Sequence, residues 1–126
     1  IESVYKNLTP LANPVRSPGL CHFIATTASH YGLIVNPNIE QRLDPELATD
    51  AALRLLLANK LRFSDWSLSL LAYNAGENAV QQAITKTGSR DPWVLVQSGL
   101  FMKETQEYLP KLMAAILIIQ NSESVL

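Results

Sequence analysis

The sequence has very little cysteine. Its one cysteine, Cys21, cannot close an internal disulfide, so cysteine usage says nothing of the compartment. Charge of one sign is also lacking: ten Lys and Arg stand against eleven Asp and Glu, a net charge of -1. A nucleic-acid surface needs a basic patch to displace counterions, and that balance offers none. Long hydrophobic runs are missing too. The longest, from Leu112 to Ile119, is eight residues, well short of a membrane span. Glycine-rich phosphate loops and zinc-type spacings are absent. His22 and His30 are eight residues apart, too far for an i, i+4 metal pair on a helix, and Cys21 beside His22 points elsewhere on a helix. No metal and no cofactor is expected. No signal peptide is recognisable, and the chain opens at Ile1 without a methionine, as a processed or truncated fragment would.

What is present is a globular composition, 48% hydrophobic and 17% charged over 126 residues, enough for one compact domain with a core. No stretch alternates strictly between apolar and polar residues, so the pattern is all-α, with five or six helices. Residues 1–19, with Pro10, Pro14, Pro18 and Gly19, read as loop after a few residues of helix. A short helix is expected over Leu20 to Tyr31, with Gly32 as its stop, and a turn at Asn36-Pro37-Asn38. The clearest helix begins at Asp44-Pro45, an N-cap followed by a first-turn proline, and runs to about Leu61. Its expected inner stripe is Leu47, Ala51, Leu55 and Ala58, thickened by Ala48, Ala52 and Leu56.

Ser64 or Asp65 then caps a central helix in which Trp66, Leu70 and Tyr73 share a face and which ends at Gly76 in a left-handed conformation. Glu77 to Thr87 follows, with Val80, Ala83 and Ile84 inward and Gly88 as a stop. Residues 88–102 read as a loop anchored by Trp93. Lys103 to Gln120 is the last helix, kinked or restarted at Pro110.

The acidic residues have ordinary explanations on their own. Glu40, Asp44 and Glu46 surround a helix start, Glu77 caps the next helix, and Glu104 and Glu107 complement a helix dipole. Glu2 would pass for a solvated surface residue, Tyr73 for a core tyrosine and Asn74 for a carbonyl partner at a helix end.

Taken in order, however, the motifs resemble one family. These are Ile1-Glu2-Ser3; Gly19-Leu20-Cys21-His22-Phe23-Ile24 with Thr26-Thr27 and Tyr31-Gly32-Leu33; Arg42-Leu43-Asp44-Pro45-Glu46; Ala72-Tyr73-Asn74-Ala75-Gly76-Glu77; and Glu104-Thr105-Gln106-Glu107-Tyr108-Leu109-Pro110-Lys111. Their order and spacing are similar to the soluble lytic transglycosylase (SLT) domain, and within it to the membrane-bound lytic murein transglycosylase D group.

The resemblance implies a lysozyme-like helical domain over residues 1–126, related to goose-type lysozyme, with a substrate cleft and without the helix that precedes the glutamate in the family. It implies cleavage of the β-1,4 bond between N-acetylmuramic acid and N-acetylglucosamine in peptidoglycan, leaving a 1,6-anhydro sugar. Glu2 would be the single catalytic acid and base, and Ser3, His22, Tyr73, Asn74 and Tyr108 would line the substrate site. The partner would be the peptidoglycan glycan strand, with envelope proteins as further partners, and the location the periplasm or cell envelope.

The sequence departs from the family around the glutamate. Cys21-His22 stands where the family has Trp-Gln or Met-Gln, and the loop from Asn7 to Pro18 is proline-rich, with Arg16 close to Gly19. These departures define an alternative expectation, a catalytically degenerate domain that binds peptidoglycan or serves as a structural part of an envelope assembly.

Overall fold

A computed structural model describes residues 23–125, with side chains described as far as residue 122. The described residues are helical, with six α-helices and one 3-10 turn, and no strand among them. The helices are α1 (Ala25–His30), α2 (Pro45–Phe63), α3 (Trp66–Ala75), α4 (Glu77–Thr87), α5 (Pro92–Gln97) and α6 (Lys103–Val125). They fall into two compact units that divide between Leu55 and Leu56.

In the first unit, α1 begins at Ala25, later than expected. Leu20 to His22 lie outside the described residues, and Phe23 and Ile24 are not helical. Gly32, at φ +87, follows the helix end. The Asn36 turn is as expected, and its mechanism is visible: Asn36 Oδ1 accepts from the amides of Asn38 (2.9 Å) and Ile39 (2.8 Å). An isolated bridge between Val35 and Glu40 closes it. Glu40 caps the 3-10 turn at Gln41–Leu43 rather than α2, its Oε1 accepting from the Arg42 amide at 3.2 Å. Both its carboxylate oxygens take hydrogen bonds from the Arg42 side chain, from Nε at 2.8 Å and from the terminal nitrogen at 2.6 Å. Arg42 is buried and also donates to the Phe23 carbonyl at 3.1 Å. A guanidinium can be buried when its donors are engaged in this forked way. These hydrogen bonds hold the Glu40 carboxyl below its ordinary pKa against the opposing effect of burial.

Asp44 caps α2 as expected, its Oδ1 accepting from the amides of Glu46 and Leu47, both at 3.0 Å. The buried side of α2 is rotated from the expected one. Ala48, Ala51, Ala52, Asn59 and Phe63 are inside, while Leu47 and Ala58 are exposed. A polar residue at position 59 hides this face from a reading based on apolar periodicity.

The second unit has its own core of Phe63, Leu68, Leu71, Ala72, Val80, Ala83, Leu95, Val96, Phe101 and Leu109. Ser64, at φ 55, turns the chain out of α2, and Asp65 caps α3 by accepting from the Leu68 amide at 2.8 Å. Two side chains tie the end of α2 to α3 through main-chain carbonyls. Asn59 Nδ2 donates to the Ser69 carbonyl at 3.3 Å, and Ser69 Oγ donates to the Leu56 carbonyl at 2.9 Å. Helix α4 spans its expected residues with Val80 and Ala83 buried and Ile84 packed against the core, and Gly88 ends it in the left-handed region.

Residues 88–102 are not simply a loop. Asp91 accepts from the Trp93 amide at 2.9 Å, and Pro92 opens α5. The anchor is not Trp93, which is 46% exposed, but Leu95 and Val96, which are buried. Helix α6 runs through Pro110 as one element and extends to Val125, past the expected end.

Candidate active site at the α3–α4 junction

The expected site residues divide by position. Glu2, Ser3 and His22 lie outside the described residues; Tyr73, Asn74 and Tyr108 lie within them. Tyr73 and Asn74 occupy the last turn of α3, both half-buried. Tyr108 is half-buried on α6, and α3 and α6 pack against each other.

The local sequence explains why the end of α3 is presented this way. Leu68, Leu71, Ala72 and Ala75 lie on one side of the helix and enter the core. Trp66, Leu70 and Tyr73 fall about 180° away at 100° per residue, so they share the side turned from the core. The face expected from the i, i+4, i+7 spacing is therefore real, and it is not the core face. Leu70 and Tyr73 are half-buried on it and Trp66 is exposed.

Gly76 joins α3 to α4 with no intervening linker. Its amide donates to the Ala72 carbonyl at 2.8 Å, and its own carbonyl accepts from Val80 at 3.3 Å. Its φ is +91 as glycine allows, but its ψ of 146 is extended rather than left-handed helical, which corrects the expected cap geometry. The region near these angles is essentially reserved for glycine.

Charged groups flank the junction. Glu77 does not cap α4 as expected: Gly76 holds the N-cap position and no side chain caps the helix. Glu77 is instead its first residue, where a carboxylate faces the positive end of the helix dipole, and it pairs with Arg62 at 3.5 Å. Arg62 also stacks near the Phe63 ring at 5.9 Å, and Arg90 donates to the Phe63 carbonyl. Lys60 sits over the Trp66 ring, its Nζ 5.5 Å from the centroid. Among the described residues no cluster of three His, Cys, Asp or Glu side chains could hold a metal. No helix among them is long and apolar enough to cross a membrane.

Two features escaped the sequence reading. Arg42 gives no periodic signal, and its burial follows from the Glu40 fork two residues away. Helix α5 had a usable signal, since Asp91-Pro92 repeats the cap-and-proline pattern of Asp44-Pro45.

Comparison with known proteins bears on the same segment. Residues 2–96 match the family described as Transglycosylase SLT domain. The chain is 35% identical over 106 residues to membrane-bound lytic murein transglycosylase D of Escherichia coli (strain K12), a match covering 83% of this chain and 24% of that protein. The protein of the same description from Escherichia coli O6:H1 matches equally, at 35% over 106 residues. An alignment of that length is longer than the 2–96 stretch, so it runs beyond Val96 towards α6. The chain spans about a quarter of the length of the curated relatives it matches. The fold is the all-α, lysozyme-like one of the matched family. With a family match over most of its length, the chain belongs to the transglycosylase SLT domain family.

Proposed function

We propose that this chain is the catalytic domain of a peptidoglycan lytic transglycosylase acting in the periplasm or cell envelope, with Glu2 as its single acid and base. The observation that carries the reading is the extent of the family match, which begins at Glu2 and takes in Tyr73 and Asn74. The half-buried setting of Tyr73 and Asn74 beside Gly76 supports it, because polar groups at a helix end that is only partly covered can meet a ligand. The relatives' description as murein transglycosylases supports peptidoglycan as the substrate.

The chemistry needs one carboxyl group. Protonated Glu2 gives its proton to the glycosidic oxygen between N-acetylmuramic acid and N-acetylglucosamine, and the bond from C1 to that oxygen breaks. The C6 hydroxyl of the same muramic residue then attacks C1, and its proton passes to the Glu2 carboxylate. The acid is regenerated, no water is consumed, and the product ends in a 1,6-anhydro sugar. Ordinary glycosidases place a second carboxylate as nucleophile or base; here the substrate hydroxyl replaces it. In this reading Ser3, His22, Tyr73, Asn74 and Tyr108 contact the glycan or hold the cleft around the acid.

The test is a mass-spectrometric digest of purified peptidoglycan sacculi with the full-length protein and with Glu2→Gln. The expected result is 1,6-anhydro-muropeptides from the wild type alone. Equal release by both proteins would show that Glu2 is not the acid. Release by neither would leave the domain as a peptidoglycan-binding or structural component.

A further inference from the structure

A lone exposed tryptophan is ordinary on a protein surface. Trp66 is set apart by three further observations. The first is alignment: Trp66 lies on the same side of α3 as Leu70 and Tyr73, away from the core. The second is spacing. Seven residues of helix separate Trp66 from Tyr73, an axial distance of about 10 Å, comparable to the repeat of a β-1,4-linked disaccharide. The third is charge. Lys60 is seated over the indole, 5.5 Å from its centroid, and among the described residues no carboxylate lies within ion-pair distance of it. Arg42, Arg54, Arg62, Lys103 and Lys111 have such partners, whereas Lys86 and Arg90 share the lack but sit over no tryptophan.

We propose that Trp66 and Lys60 form an additional contact for the peptidoglycan strand, one disaccharide away from Tyr73 along the outer side of α3. The inference rests on the function proposed above. The indole of Trp66, 52% exposed, offers a flat apolar surface to the C–H face of a sugar ring. Half-buried Leu70 gives an apolar floor between Trp66 and Tyr73. The Lys60 ammonium, positioned by the indole, meets a carboxylate of a stem peptide carried by the muramic residue. The occupant is thus an amphiphilic, anionic glycan strand: apolar sugar faces for the ring, carboxylates for the cation. Such a contact would act on strand affinity and register and take no part in bond cleavage.

The experiment is co-sedimentation of the full-length protein with purified sacculi, at low salt and at molar salt, alongside the release of anhydro-muropeptides. Trp66→Ala is expected to bind about ten-fold more weakly at both salt concentrations, as when one anchoring aromatic is lost. Trp66→Phe, which keeps a ring, should recover most of the affinity, whereas Trp66→Leu, apolar but not flat, should not. Lys60→Ala is expected to bind more weakly at low salt and to match the wild type at molar salt, where an exposed ion pair is screened. Melting temperatures should stay near the wild-type value, because both side chains lie outside the core. Unchanged binding by Trp66→Ala, or equal recovery by the Leu and Phe variants, would overturn the contact while the proposed function stood. Wild-type protein that neither sediments with sacculi nor releases anhydro products would overturn the proposed function and this contact together.

Discussion

Replacing Gly76 with alanine isolates a purely conformational effect. Among the described residues, a β-carbon at position 76 would meet no atom within 4 Å beyond its own chain neighbours, so no clash with them contributes. What remains is the backbone at φ 91 and ψ 146, which an L-residue adopts at a cost of about 1–3 kcal/mol. Alanine also restricts the unfolded chain, which returns roughly 0.4–1 kcal/mol. The expected net loss is about 1–2 kcal/mol, read as a lower urea midpoint at unchanged slope. Asparagine makes the argument sharper. It tolerates the left-handed helical region, so Gly88→Asn, at φ 69 and ψ 9, should cost only a few tenths of a kcal/mol. Gly76→Asn should cost as much as Gly76→Ala, because asparagine's advantage does not extend to ψ 146. Equal midpoints for Gly76→Asn and Gly88→Asn, or a Gly76→Ala midpoint at the wild-type value, would refute the reasoning.

Two further predictions concern buried polar groups. Asn59→Asp places a carboxylate against the Ser69 carbonyl at a site 2% exposed, so its folded pKa should be raised. The penalty should be absent below the carboxyl's unfolded value and grow to several kcal/mol as pH rises towards 7, which urea titrations at pH 3.5 and 7 would check. A gap to wild type that is equal at both pH values would contradict it. Glu40 has the opposite sign. Its folded pKa is lowered by the Arg42 hydrogen bonds, so its stabilising contribution is present above the ordinary value of 4.5 and is lost as pH falls through the folded value. Glu40→Gln should be about 1–3 kcal/mol less stable than wild type at pH 7, with the gap narrowing in acid. A gap that persists undiminished well below pH 4 would count against the pairing.

The sequence signalled helix ends better than helix faces. Asp44-Pro45, Asp65, Gly76 and Gly88 each mark a boundary seen in the structure, because caps and stops are local chemistry within one turn. The inner side of α2 was misjudged because burial is decided by neighbours far along the chain. Asn59 is inside since it reaches the Ser69 carbonyl, ten residues on, and no periodicity of apolar residues contains that fact. Trp93 failed as an anchor for a related reason. Size made it the obvious candidate, but once α5 forms, the helical spacing turns Leu95 and Val96 inward instead. The ψ of Gly76 was also out of reach, since glycine permits several conformations and the sequence names only the permission. For the site, the motifs identified Tyr73 and Asn74, and both are half-buried at a helix end. The open side of Trp66 and its lysine had no motif to mark them.

Pro110 lies inside α6 and gives that helix an internal seam. Proline has no amide hydrogen, so the bond that would close the turn onto the Gln106 carbonyl is missing from an otherwise continuous ladder. Before the seam, Thr105 and Leu109 are buried; beyond it, Leu112 is the last buried side chain of the described part of the helix. Helix propagation passes from one hydrogen-bonded turn to the next, and here it must cross a turn with a bond removed. The segment beyond Leu112 can therefore fray and re-form without disturbing Leu109. In amide hydrogen exchange, α6 would separate into two cooperative units: a slow one that opens with the core and a fast one that opens alone. A single helix in outline thus contains a stable root and a readily melted tip, divided in the turn that follows the proline.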